Sequence, residues 1–296
     1  MSRKDIIDKC LVQTPNGRVL NPDSLFALHD EYLNDIHDIT KRNIISYYSG
    51  FLTHPTVRNS SICDNDLNFI MDVIKGMKEK DKGLDLILHT PGGATAATEQ
   101  IIKYLYAIFD DNIRVIIPQM AMSAGSMISL SCKEIIMGKQ SCLGPFDPQY
   151  GGVACQSVLK EFDQAVDDIK TRPESKILWQ KIIQYGPTFL FSCKQSIAMT
   201  EEMMTKFLEK HYEKDCVKKI MKKFFDNDIS KEHSRHISKD EAKEVGLNIK
   251  DLEENQSLQD AVLNFHHANL IAFENTPIIK IVANHQRTRN IEVIRQ

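Results

Sequence analysis

Residues Leu84–Gly152 read LDLILHTPGGATAATEQIIKYLYAIFDDNIRVIIPQMAMSAGSMISLSCKEIIMGKQSCLGPFDPQYGG. Seven of the chain's 13 glycines fall between Gly92 and Gly152. Glycine loses more backbone entropy than other residues in regular structure, and it is used where a chain turns left-handed or approaches something closely. The window therefore points to a tight backbone site. It also alternates short apolar runs with helical stretches. Leu84–His89, bounded by Gly83 and Pro91, predicts a buried strand, Thr95–Phe109 a helix and Ile113–Pro118 a second strand. Ser123–Cys132 predicts a buried helix of small residues, and Glu134–Met137 a third strand. Strands and helices in that alternation build a wound, parallel α/β sheet.

On the N-terminal side, Pro22–Lys41 carries a helical stripe of Leu25, Leu28, Tyr32, Leu33 and Ile36. Asn43–Phe51, rich in β-branched and aromatic residues, predicts a strand. Asp64 is the expected N-cap of a helix over Asn65–Lys78, whose face is Leu67, Ile70, Met71, Val73, Ile74 and Met77. On the C-terminal side, Val153–Lys170, Glu174–Ile183 and Cys193–Asp226 read as helices. Ile237–Leu252 opens on a capping box, Ser238 with Glu241, and closes at Gly246. Leu258–Ala272 predicts a helix and Ile278–Ala283 a late strand. These readings divide the chain into an N-terminal helical segment, 1–42, a main domain, 43–284, and a polar tail, 285–296, expected to be mobile.

Composition narrows the function. A net charge of −3 leaves no electrostatic footprint for nucleic acid, so no nucleic-acid partner is expected. No apolar run approaches the ~20 residues of a membrane helix. The opening MSRKDIIDKC lacks the apolar core of a signal peptide. A peripheral membrane contact stays open. The seven cysteines are scattered without C-x-x-C, which points to a reduced, cytoplasmic compartment and no zinc site. The pair His266–His267 lacks partner ligands at a suitable spacing. No metal or cofactor is expected, and without G-x-G-x-x-G there is no dinucleotide fingerprint.

Two loops of the window carry chemistry. Thr90-Pro91-Gly92-Gly93 lies between a strand and a helix, where backbone N–H groups favour an anion; alone it reads more readily as a plain Pro-Gly turn. Ala121-Met122-Ser123-Ala124-Gly125 also lies at a strand-to-helix junction, which presents a serine sharply, although an isolated serine there reads as an N-cap. Together, adjacent strands would place the Gly93 and Ala124 N–H groups about one oxyanion.

At these residues the chain resembles the superfamily of Clp proteases and signal peptide peptidase A. More narrowly it resembles the serine dehydrogenase proteinases. LDLILHTPGG, AMSAGSM, MGKQSCLGPFDPQ, EFDQAVDDI, Trp179 and LQDAVLNFHH carry the likeness, and Ser238–Leu247 resembles the closing element of the same fold. The likeness runs from about Tyr47 to Asn284. It implies an α/β fold, a ClpP/crotonase-like spiral of ββα units, with additional helices at the N-terminus and after the site. It implies Ser123 as nucleophile and Gly93 and Ala124 as oxyanion donors, acting on peptide or protein substrates in a homo-oligomer. The Clp histidine is not carried over: Phe146-Asp147-Pro148 holds none, and the aspartate's place falls at Ser234.

No histidine lies between His89 and His211, so the base must come from elsewhere. His233 stands on the segment that in this fold returns toward the site, and reads otherwise as a surface turn. Lys170 lies downstream of Ser123 at a distance like that of the lysine in serine–lysine relatives, but in a sequence that looks exposed, whereas a lysine base needs burial. Asp147 could orient a base or cap a helix. His89, beside Pro91, reads as a packing or hydrogen-bonding residue. The expected function is a serine peptidase. Two rivals stand beside it: an acyl-CoA enzyme of crotonase type, which would not need the serine, and a non-catalytic oligomeric scaffold, which the missing Clp histidine favours.

Overall fold

The computed structural model describes residues 1–294 apart from Asn16 and Pro187. The chain divides into two units, Met1–Leu143 with His236–Gln296, and Gly144–Arg235. The first unit begins with α1 (Arg3–Cys10), the antiparallel pair β1 (Leu11–Thr14) and β2 (Gly17–Leu20), and α2 (Pro22–Thr40). There follow β3 (Asn43–Ser49), α3 (Asn65–Ile74), β4 (Leu84–His89), α4 (Thr95–Phe109), β5 (Ile113–Ile117), β6 (Met120–Ala121), α5 (Ala124–Ser131), β7 (Glu134–Met137) and β8 (Cys142–Leu143). The second unit holds β9 (Gln149–Tyr150), β10 (Val153–Ala154), α6 (Cys155–Thr171), α7 (Lys176–Ile182), α8 (Phe189–Leu208), α9 (Lys214–Phe224) and α10 (Asn227–Ser230). The first unit resumes with β11 (Ile237–Ser238), α11 (Lys239–Glu244), β12 (Ile249–Asp251), α12 (Gln256–Asn275), β13 (Ile278–Asn284) and β14 (Arg289–Val293).

Seven strands form one sheet in the order β12-β7-β5-β4-β3-β13-β14. β12 through β3 run parallel, and β13 and β14 are antiparallel additions. Every residue of β3, β4 and β13 is buried, as expected of strands covered on both faces. One face meets α1, α2 and α12 in a core that includes Ile44, Tyr48, Ile87, Ile116, Leu33, Ile36 and Phe265. The architecture is mixed α/β, consistent with a ClpP-like fold. A second sheet, β11-β8-β6, adjoins the loop that contains Ser123.

At the N-terminal ends of β4 and β5, the buried Asp85 carboxylate takes Arg114 in a fork at 2.8 and 2.7 Å and Arg42 Nε at 2.6 Å. Arg42 also donates to the Leu84 and Asn112 carbonyls, at 3.1 and 2.7 Å. The clamp ties the strands together at the end opposite His89 and Thr90.

The segmentation differs from expectation in several places. The N-terminal segment contains the hairpin β1–β2 as well as helices. α3 stops at Ile74, and Met77 is buried from the turn at Gly76. Asp64 makes no side-chain cap. Backbone does that work: the Asp66 and Leu67 N–H groups donate to the Cys63 and Asp64 carbonyls at 3.0 and 3.3 Å. Val153 starts a two-residue strand before α6. The Cys193–Asp226 stretch is two helices, α8 and α9, parted at residues 209–213. β12 follows Gly246, which supplies the predicted C′ turn. The tail is corrected most: Arg289–Val293 is a strand paired with β13. Two of its polar side chains find partners there. Arg289 pairs with Asp30 and lies 4.3 Å over Phe26, and Asn290 donates to Asp72 at 3.1 Å. Residues 295 and 296 of that tail lie outside the described residues.

Asp85→Ala takes the buried carboxylate from two partly buried guanidinium groups and leaves Arg114 only Glu134, at 3.5 Å. It is expected to cost about 3 kcal/mol, the scale of breaking a buried ion pair from one side. Denaturant unfolding of the folded variant checks it; a loss below about 1 kcal/mol would show that the clamp is dispensable.

Candidate active site

The loop after β4 runs between two other stretches of backbone. On one side Thr90 bridges Ala121: the Thr90 N–H donates to Met120 O at 3.2 Å, and the Met122 N–H donates to Thr90 O at 3.0 Å. On the other side the Ile62 N–H donates to Gly92 O at 2.7 Å, and the Ala94 N–H donates to Ile62 O at 2.9 Å. Side chains do not fit in this sandwich. A Cβ on Gly93 would lie 2.2 Å from Ile62 O and 2.4 Å from Ile62 N. On Gly92, at φ +103, it would lie 2.7 Å from both Met122 O and Ser123 Cβ and 2.9 Å from Ala124 N. Close approach, more than turn geometry, demands glycine here.

Ser123 has φ 52 and ψ −116, a conformation that side-chain-bearing residues seldom adopt and that stores strain. It occupies the cap position of α5, yet its hydroxyl makes no capping bond. Backbone closes the turn instead, with the Gly125 N–H on Met122 O at 2.7 Å and the Met127 N–H on Ser123 O at 3.1 Å. The Ser126 hydroxyl donates to Ala121 O at 2.8 Å and holds the junction from inside. The N-cap reading of Ser123 is thereby excluded. Its half-buried side chain is presented on a strained strand-to-helix turn. The Gly93 and Ala124 N–H groups have no acceptor among the described residues. They belong to segments in direct contact, as the Gly92 geometry requires.

The unit Gly144–Arg235 contains a second constellation. His233 Nδ1 lies 2.8 Å from Asp147 Oδ1. The Asp147 side chain is fully buried, while that of His233 is 32% exposed. Asp147 Oδ2 accepts from Gln149 Nε2 at 2.8 Å and from Asn227 Nδ2 at 3.1 Å. Of the two readings of Asp147, orienting a histidine and capping a helix, the structure has the first. A carboxylate held this way fixes one ring nitrogen of the imidazole and leaves Nε2 for chemistry. Gln149 and Asn227 were not anticipated. Gln149 stands two residues from Asp147, but Asn227 is 80 residues away, with nothing local to mark it.

Lys170 sits on α6 with its side chain 69% exposed, 3.4 Å from Asp167. It lacks the burial that a lysine base requires. His89 is fully buried against Tyr48, Phe51 and His266, at ring-centroid distances of 5.4, 5.1 and 5.2 Å. Neither ring nitrogen has a hydrogen-bond partner. Burial pushes its pKa down to about 4, opposed by the Met120 carbonyl from outside good hydrogen-bond geometry. His89 packs, and of its two expected roles it fills only that one.

A family model described as ClpP-like SDH-type serine proteinase matches residues 36–258. Two uncharacterized proteins of Methanocaldococcus jannaschii are each 34% identical to this chain over 170 residues, 57% of its length. The matched region is 54% of one relative and 53% of the other, so the chain spans about half the length of the curated relatives it matches.

The buried histidine sets an acid limit. His89 has a lower pKa folded, about 4, than its ordinary 6.5. Between those values the unfolded chain binds the extra proton. Stability is therefore complete above pH 6.5 and falls on acidification toward 4, by about 3 kcal/mol for this group. His266, with a pKa also lowered by burial and then by His89, adds to the same loss. His89→Leu is expected to flatten the stability profile by about that amount between pH 7 and 4. Denaturant midpoints across the range check it, and an unchanged slope would mean that His89 is protonated when folded.

Proposed function

We propose, for a chain that belongs to the family of ClpP-like SDH-type serine proteinases, a serine peptidase with Ser123 as nucleophile. The observation that carries this reading is Ser123 itself: a strained, uncapped serine beside two N–H groups without acceptors. In the proposed reaction His233 Nε2 takes the hydroxyl proton as Ser123 Oγ attacks the carbonyl carbon of a peptide bond. The Gly93 and Ala124 N–H groups donate to the oxyanion. The C–N bond breaks, the leaving amine receives the proton from His233, and an ester remains on Ser123. Water, deprotonated by the same imidazole, cleaves that ester and regenerates the serine. Asp147 holds the His233 tautomer and offsets the charge the ring gains in each transfer.

Chain connectivity supports assigning His233 and Asp147 to Ser123. Asp147 follows β8 by four residues, and His233 precedes β11 by four. β11 pairs with β8, and β8 with β6, the strand that leads into Ser123. The reading gives Lys170 no role. Self-association belongs to the same proposal, supported by exposed Phe162, Ile177, Leu178, Ile182 and Phe191 in the unit 144–235.

A fluorophosphonate probe and an activated ester test the assignment. Ser123→Ala is expected to abolish labelling and turnover while changing stability by no more than about 0.5 kcal/mol, since the hydroxyl caps nothing. Gly93→Val should lower turnover by about a hundredfold or more. His233→Ala should lower kcat by roughly 10²–10⁴, and Lys170→Met should leave it within about twofold. Wild-type protein that neither labels nor turns over would favour the scaffold. Full activity in His233→Ala would place the base elsewhere.

A further inference from the structure

The interior of the first unit holds an ion pair that the proposed reaction does not use. Lys280, in the middle of β13, and Asp66, in the first turn of α3, are both fully buried. Lys280 Nζ lies 2.6 Å from Asp66 Oδ1 and 3.1 Å from the Ser61 carbonyl. Glu292 stands 3.6 Å away and the Tyr47 ring centroid 5.7 Å. Asp66 Oδ2 accepts from the Tyr47 hydroxyl at 2.8 Å and from the Cys63 N–H at 2.9 Å. The pair thus grips the chain on both sides of Ile62, by the carbonyl before it and the N–H after it.

Ile62 is the residue that borders Gly93. Its N–H and carbonyl bond to Gly92 and Ala94, so the two bonds straddle Gly93, and no Cβ fits between. Any shift of Ile62 must move the Gly93 amide. Stability alone gives little reason for the pair. A buried ion pair replaced by apolar residues of similar volume is often neutral or stabilising, and the rest of β13 is Ile278, Ile279, Ile281, Val282 and Ala283, with Asn284 at its end. What the pair adds over apolar packing is direction: one carboxylate and one ammonium fix two backbone groups at set distances.

We propose that Lys280 and Asp66 are positioning residues for the Gly93 N–H, acting through Ser61, Cys63 and Ile62. This rests on the assignment of Gly93 as an oxyanion donor. The pair aims the donor and does not touch the substrate. A donor displaced by a fraction of an ångström binds the transition-state oxyanion less well, and leaves substrate binding elsewhere intact. The loss should appear in kcat and spare KM.

The test uses the full chain, with p-nitrophenyl acetate turnover and the fluorophosphonate labelling rate at Ser123. Lys280→Met/Asp66→Leu removes both charges of the pair together, and it also takes the cation from Glu292 and the acceptor from the Tyr47 hydroxyl and the Cys63 N–H. Those orphaned groups lower the midpoint, and the folded variant is expected to lose about tenfold or more in kcat with KM within about twofold. In a Gly93→Ala background the same pair of substitutions should add nothing, because the donor is already displaced. An unchanged kcat in the folded variant, or losses that multiply in full, would overturn the proposal. Should the double variant fail to fold, Tyr47→Phe deletes one bond to Asp66 and adds no buried polar group. A fall of about threefold in kcat at constant KM then supports the proposal, and an unchanged kcat overturns it. Wild-type protein without Ser123 labelling would bring down the peptidase reading too, and labelled wild type with indifferent variants would bring down the positioning role alone.

Discussion

Three backbone segments meet at the loop after β4 at separations that admit no side chain. Ile62 lies on one flank of Gly92–Gly93 and Met122–Ala124 on the other. The rest of the first unit serves this contact. The parallel strands β4 and β5 deliver two loops to one edge of the sheet. The Thr90–Ala121 bridge sets the spacing between those loops. The Asp85 clamp secures the far ends of the same strands. Ligand sites in open α/β sheets collect at the carboxyl ends of strands because there the connecting loops leave the ladder with amides unpaired. Here two of those amides, on Gly93 and Ala124, stay unpaired beside a serine.

Local chemistry made much of this readable. The alternation of apolar runs with helical faces located β4, α4, β5, α5 and β7 to within a residue or two, since period and burial agree there. The glycine cluster pointed to the tight site for a simple steric reason. Ser238 and Glu241 announced α11 because a capping box lies within four residues of chain. The readings that fell short depend on distant partners. Asn227 joins Asp147 across 80 residues, and Lys280 joins Asp66 across 214. The strand around Lys280 was evident, but nothing near it in sequence says where its ammonium goes. β14 looked like a polar tail because the groups that satisfy its side chains, Asp30 and Asp72, lie on α2 and α3.

Polar groups in the interior fall into two kinds. Asp66, Asp85 and Asp147 each accept from several donors, and each fixes the geometry of something else: the backbone at Cys63, two arginines, an imidazole. His89, His266 and Tyr48 are buried with ring nitrogens or a hydroxyl unpaired. The first kind gives the fold definite distances at the cost of desolvating charge. The second gives it none, and makes its stability depend on proton concentration.

The antiparallel register of β8 and β11 sets Leu143 opposite Ile237, the last residue of one strand against the first of the other. Their Cα atoms are thus about 5 Å apart, the span that a two-residue turn closes. Everything from 144 to 235 hangs from that gap as a cassette. For the strands that hold it, a short hairpin would serve as well as the whole unit. Evolution can therefore lengthen, shorten or exchange the cassette without disturbing the sheet, and with it the residues nearest its two ends, among them Asp147 and His233. A lineage could keep the first unit, serine loop included, and change the second.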